Sequence, residues 1–196
     1  FEKNFFKIAY VARYHPQKNH KLLLESISLY KKNFNHNFKL FLAGKNIDDK
    51  NSFLKEQISK LDLKYNVILC GILDQKKIHE LFSKCDITLL LSNYGEGFPN
   101  VVAESMSCGT PCVVTDVGDA GLIVGKTGWV VKPNDPIILS IAIEKALKEL
   151  GTKNWDKKCQ KARLRIKENY SLSKMIKSYY EVWTKTKIKF KMSTSK

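Results

Sequence analysis

The chain has 196 residues, 43% of them hydrophobic, which suffices for one domain with a full core or for one domain and an appendage. Its net charge of +15 is uneven: residues 151–196 hold 14 Lys/Arg against 3 Asp/Glu, whereas residues 1–150 hold 20 against 16. No apolar run nears the length of a membrane span, which excludes a transmembrane helix within this sequence, and no repeat or low-complexity tract points to a fibrous or disordered protein.

Strand and helix signals alternate from the start. Residues 5–12 form an apolar run that reads as a strand ending in a basic loop, and residues 20–32 carry leucines at helical spacing. A second buried strand is expected at 38–43, closed by Gly44. An amphipathic helix follows at 48–62, with Phe53, Leu54, Ile58 and Leu61 on one side. Residues 66–70 read as a third strand ended by Gly71, and 76–84 as a helix carrying Ile78, Leu81 and Phe82. A fourth strand at 87–91 leads into an irregular segment, 92–99. The chain restarts as a helix at 100–107 and stops before Gly109 and Pro111. Short β-rich runs at 112–115 and 129–131 precede a long helix at 136–150 with apolar Ile138, Ile141, Ala142 and Leu147. Beyond Gly151 the β signal stops. Residues 154–169 and 172–187 read as two further helices, the second rich in aromatics at Tyr179, Tyr180 and Trp183, and 188–196 as a frayed basic tail.

Short strands separated by helices point to a parallel sheet covered on both faces. The expected fold class is α/β, a Rossmann-like doubly wound parallel sheet over residues 1–151, with a helical extension and basic tail at 152–196. The chain opens on Phe1 rather than Met, so a segment of a longer polypeptide is expected. Cys70, Cys85, Cys108, Cys112 and Cys159 lack the paired spacing of a zinc site; reduced thiols in a cytoplasmic protein are expected, and no metal. The basic C-terminal stretch suits an anionic surface, phospholipid or nucleic acid, although a solvated helical face has the same composition. An aromatic-basic platform or recognition helix for nucleic acid is lacking, so the expectation is peripheral contact with an anionic membrane and no specific nucleic acid.

In open α/β sheets ligands bind outside the carboxyl ends of the strands. That directs attention to the loops 13–18, 44–46, 71–73, 93–100 and 116–120. The first is Arg13-Tyr-His-Pro-Gln-Lys18, where a planar cationic fork and a point charge flank a loop stiffened by Pro16, a combination suited to a diphosphate. The second is Tyr94-Gly-Glu-Gly-Phe-Pro-Asn100, running into Val101-Val-Ala-Glu104. Gly95 and Gly97 allow backbone to approach a ligand, and Pro99 suits a helix start whose free amides and dipole favour phosphate. Glu96 lies before that helix and Glu104 about a turn inside it, so the two carboxylates address different parts of one ligand as acceptors for hydroxyl groups; a capping Glu and a surface Glu would be the structural alternative. The third is Thr115-Asp-Val-Gly-Asp-Ala120, a strand end opening on a turn at Gly118, and equally an ordinary connector.

With these residues in view, the chain resembles the C-terminal domain of the group 1 (family four) glycosyltransferases, which have the GT-B architecture. The resemblance runs from about Lys7 to Trp183. Its most specific part is Glu96-Gly-Phe-Pro-Asn-Val-Val-Ala-Glu104, similar to the family's E-x7-E signature. Val11-Ala-Arg-Tyr-His-Pro-Gln-Lys-Asn19 resembles the Arg/Lys loop, and the stretches 106–118 and 127–131 are similar to their family counterparts. The resemblance implies that Arg13 and Lys18 hold the donor diphosphate and stabilise the leaving nucleotide, that backbone at Gly97, Phe98, Pro99 and Asn100 meets phosphate and sugar, that Glu96 binds hydroxyls of the transferred sugar, and that Glu104 binds the ribose. Gly71, Ile72 and Leu73 would meet the base. It further implies a nucleotide-diphosphate-sugar donor, no cofactor, no metal at the diphosphate, a glycan or lipid-linked acceptor, retention at the anomeric carbon, and a second, N-terminal Rossmann-like domain to which nothing here corresponds. The helix at 172–187 would cross back to that domain. Asp119-Ala120 departs from the commoner Gly-Asn pair of the family loop.

Two other readings compete. An epimerase of GT-B type keeps the nucleotide site but is expected to lack the paired glutamates. A module that grips a nucleotide-sugar without catalysis keeps the site and lacks transfer.

Overall fold

The computed structural model describes residues 5–34 and 36–194, with side chains through residue 186. Among these residues six strands, β1 (Phe6–Val11), β2 (Phe38–Ala43), β3 (Val67–Leu69), β4 (Ile87–Leu90), β5 (Cys112–Thr115) and β6 (Trp129–Val131), form one sheet in the order β3-β2-β1-β4-β5-β6. Every pairing is parallel, with Ile8 opposite Leu40 on one side and Ile87 on the other. Among the described residues eight α-helices accompany them: α1 (His20–Phe34), α2 (Ser52–Lys60), α3 (Gln75–Lys84), α4 (Asn100–Ser107), α5 (Ala120–Val124), α6 (Pro136–Lys148), α7 (Lys153–Asn169) and α8 (Leu172–Thr194).

Strand side chains alternate between faces, so the central strands need apolar residues at nearly every position. Ile8, Tyr10, Leu40, Leu42, Leu89, Val113 and Val131 enter a core with residues of α1, α2 and α6. Ala9, Phe41, Leu90, Cys112 and Val114 enter the opposite layer with α3, α4, α5 and α7. The chain winds from β1 outward to β3, crosses back through α3, and winds from β4 outward to β6. Strand order therefore reverses between β1 and β4, and their carboxyl ends flank a crevice.

Helix α7 covers the β6 edge. Near its start Trp155 packs in the α1-side core and stacks on Trp129 with centroids 6.4 Å apart, while Ala162 and Ile166 sit in the α4-side core. Lys158 Nζ lies 3.9 Å from the Trp129 ring centroid and 3.0 Å from Glu149 Oε2, which shields a three-residue edge strand.

The structure departs from the sequence reading at four places. Helix α2 starts at Ser52 rather than 48, because the Asn51 side chain accepts the Leu54 amide at 3.0 Å and caps it there; Phe53 is 58% exposed and the buried stripe is Leu54 and Ile58. In α6 the buried face is Leu139, Ala142, Ile143, Ala146 and Leu147, which leaves Ile138 and Ile141 on an exposed flank. The turn after β5 contains α5, too short to leave a periodic signal. Helix α8 continues to Thr194 instead of ending at Lys187, since no Gly or Pro interrupts it; residues 195–196 of the expected frayed tail lie outside the described residues.

Candidate functional site

The two loops that border the β1–β4 crevice are stitched to each other. After β1, the His15 ring accepts the Gln17 amide at 3.2 Å and opens a single 3-10 turn at Pro16–Lys18, which Asn19 closes with φ 50°. Gln17 then spans the crevice: its side-chain amide donates to the carbonyls of Tyr94 (3.1 Å) and Gly95 (2.9 Å), and its own carbonyl accepts the Asn93 amide at 2.9 Å. The Asn19 side-chain amide donates to the side-chain carbonyls of Asn93 and, at 3.2 Å, Asn134. Beneath the turn, the buried Tyr10 hydroxyl donates to the Lys18 carbonyl; burial holds that phenol above its ordinary range, so it stays a donor.

These stitches bring Lys18 and Glu96 into contact. The Lys18 ammonium donates to Glu96 Oε1, and the Ser92 hydroxyl donates to the same oxygen. The two charged side chains are 17% and 8% exposed. From the other side the loop after β5 presses on the Glu96 backbone. Thr115 donates its hydroxyl to the Ser92 carbonyl at 2.8 Å, and the Asp119 amide donates to the Gly97 carbonyl at 3.3 Å. Gly118 has φ +56°, and a Cβ there would lie 1.6 Å from the Glu96 carbonyl oxygen, so only glycine permits this approach.

Helix α4 starts on the same rim. Pro99 is its N-cap residue, with no side-chain cap, and the amides of Gly97, Phe98, Asn100 and Val101 have no acceptor among the described residues. This cluster of donors at the positive end of a helix favours an anion. Asn100 and Glu104 are one turn apart and share a face that lines a groove of about 670 Å³ with Phe98, His79, Arg163 and Tyr170. The Phe98 and Tyr170 rings are 5.5 Å apart. The Glu104 side chain forms no hydrogen bond or ion pair among the described residues.

The remaining candidate residues lie around this centre. Arg13 is exposed at the β1 end and makes no ion pair among the described residues; the structure does not join it to the Lys18–Glu96 contact. Gly71, Ile72 and Leu73 follow β3. The Gly71 carbonyl accepts the Gly44 amide at 2.7 Å, its amide donates to Ile47 at 2.8 Å, and Ile72 projects into solvent. Among the described residues, no group of three or more His, Cys, Asp or Glu could hold a metal ion.

The supporting residues Tyr10, Gln17, Asn19, Ser92 and Asn93 escape a reading of the sequence. Gln17 and Asn19 belong to the basic loop, yet nothing local tells that they bond to residues more than 70 positions away. His20 also lies beneath the loop, 5.2 Å from the Tyr10 ring centroid and 5.0 Å from that of Tyr14. It is 5% exposed, neither ring nitrogen has a partner among the described residues, and burial lowers its pKa to about 4. It packs as a neutral aromatic spacer.

Fold and topology define a Rossmann-like α/β domain of the GT-B kind, with a crevice where the strand order reverses. The chain belongs to the group 1 glycosyl transferases, whose family model matches residues 1–179. It is 27% identical over 150 residues to an uncharacterized glycosyltransferase, MJ1607, of Methanocaldococcus jannaschii, covering 76% of this chain and 37% of that protein. It is 33% identical over 109 residues to the putative glycosyltransferase EpsF of Bacillus subtilis, covering 56% and 27%. Among solved structures, a glycosyltransferase from Rickettsia africae superposes with a TM-score of 0.83 at 25% identity, covering 93% of this chain and 48% of that one. Anabaena HepE in complex with UDP superposes with a TM-score of 0.80 at 22% identity, covering 93% and 49%. The chain thus spans about a third of the length of these curated relatives and about half of these solved chains.

Proposed function

We propose that this domain binds the donor in a retaining glycosyltransferase that moves a sugar, a hexose or a related glycosyl group, from a nucleotide-diphosphate-sugar to a glycan or lipid-linked acceptor. One observation carries the reading: a cation from the β1 loop and a carboxylate from the β4 loop converge at the point where strand order reverses, beside the unpaired amides of α4. In this reading Lys18 and Arg13 neutralise the diphosphate and the charge that develops on the leaving nucleotide, the task a divalent ion otherwise performs. The amides at Gly97–Asn100 bind phosphate and sugar. Glu96 accepts hydroxyl protons of the sugar and Glu104 those of the ribose, while Gly71, Ile72 and Leu73 meet the base. Retention at the anomeric carbon rests on the family resemblance. A complex of HepE carries UDP-glucose, which makes uridine nucleotides the first donors to try.

Residues 1–151 form the donor unit and α7–α8 its extension. The acceptor is held by a second Rossmann-like domain of the whole protein, so this chain alone binds donor without transferring sugar. Reaction takes place in the cytoplasm, and the basic C-terminal stretch rests on an anionic membrane surface.

Calorimetric titration of the chain with UDP-, GDP- and ADP-sugars tests the reading. Saturable binding of one nucleotide class is expected, with no transfer to added acceptors. No binding by a folded chain overturns the donor assignment, and transfer by the chain alone overturns the need for a second domain.

A further inference from the structure

The Lys18 ammonium and the Glu96 carboxylate already satisfy each other within the chain, although a diphosphate needs the first and sugar hydroxyls suit the second. Both backbones are anchored. The Lys18 backbone is held by Tyr10 and the Gln17 strap, and the Glu96 backbone is pinned against Gly118. The exchangeable part is the four-carbon Lys18 side chain. We infer that Glu96 is an internal competitor for the incoming diphosphate, so that the site discriminates a sugar-bearing diphosphate from a bare one.

This rests on the donor-site reading above, and the charges give the reason. A bare diphosphate that draws Lys18 away leaves the Glu96 carboxylate with Ser92 as its sole donor among the described residues, in a nearly buried position and close to added negative charge. A glycosylated diphosphate brings hydroxyl groups that take the place of the ammonium on Glu96. Once the sugar has been transferred, Lys18 returns to the carboxylate and weakens the hold on the nucleoside diphosphate.

The test measures binding of inorganic pyrophosphate, which needs no base pocket, and of the tightest nucleotide-sugar from the donor panel. Wild type, Glu96→Gln, Lys18→Met and the double variant are compared, with folding of each verified by circular dichroism. Glu96→Gln keeps the shape and removes the charge. It is expected to tighten pyrophosphate about tenfold, the factor equivalent to ~1.4 kcal/mol. It should tighten the nucleotide-sugar far less, or weaken it, and the gain for pyrophosphate should vanish when Lys18 is Met. Unchanged or weaker pyrophosphate binding in Glu96→Gln overturns the competition, as does an equal gain in the Lys18→Met background. If neither pyrophosphate nor any nucleotide-sugar binds any of the folded proteins, the donor-site reading falls and the competition with it.

Discussion

Gly118→Ala probes how the loop after β5 supports the site. The backbone at Gly118 has φ +56°, where an Ala costs about 1–2 kcal/mol. The larger effect is steric. The new Cβ would stand 1.6 Å from the Glu96 carbonyl oxygen and 2.6 Å from its carbon, and neither backbone atom yields as a flexible side chain would. The Glu96 segment must therefore shift by more than 1 Å, in a region where Lys18, Ser92 and Gly97 all hold it. Gly109 supplies the control. It too has positive φ, +83°, but a Cβ there meets nothing within 4 Å, so Gly109→Ala carries the conformational cost alone. Thermal unfolding should show a loss of roughly 2–4 kcal/mol for Gly118→Ala, about 5–15 °C in Tm for a domain of this size, and about half of that for Gly109→Ala. Donor affinity should fall at least about tenfold in Gly118→Ala and stay within about twofold in Gly109→Ala, because misplacing a binding group by an ångström removes its hydrogen bonds. Equal losses of stability and affinity in the two variants would refute the claim that the Gly118 contact positions Glu96.

Other outcomes follow from the same geometry. Glu104→Ala should weaken nucleotide-sugar binding by about 1–3 kcal/mol with little change in Tm, since the side chain has no partner among the described residues; unchanged affinity would remove Glu104 from the site. His20 has a folded pKa of about 4 against 6.5 in its ordinary state, so the unfolded chain binds the extra proton between those values. Its contribution is full above pH ~6.5 and falls away toward pH ~4, by up to about 3 kcal/mol, and His20→Phe should flatten that acid limb in urea titrations across pH. Tyr10→Phe removes the donor to the Lys18 carbonyl and should cost on the order of 1 kcal/mol in stability while weakening pyrophosphate severalfold. Vesicles rich in phosphatidylglycerol should retain the chain in a salt-sensitive manner, and charge reversal at exposed Lys174, Lys177 and Lys185 together should cut retention at least about tenfold; indifference to lipid charge would exclude the membrane contact.

The fold was legible because a parallel sheet with both faces covered requires apolar strands, and those strands appear as unbroken runs between glycines and charged loops. Strands β2, β5 and β6 and helix α4 coincide with the residues expected for them. Misreadings arise where composition and packing diverge. Isoleucines lie all round the first turns of α6, so periodicity does not tell its buried face, and the polar segment before α2 looks helical until the Asn51 cap is seen. In the site, the loops were legible and the connections between them were not. Parallel strands deliver every carboxyl-end loop to one rim, so Arg13, Lys18, Glu96 and the α4 N-terminus had to be neighbours once the strand order was known. Whether a given cation there touches a given carboxylate depends on side-chain contacts across 78 positions, set by Gln17, Tyr10 and a glycine in a third loop. Those contacts give the crevice its particular character, since they join Lys18 to Glu96 and leave Arg13 in solvent. In the proposed donor site the two cations of one loop therefore have different tasks: Arg13 would be available to an approaching phosphate from the outset, and Lys18 would have to be won from a carboxylate.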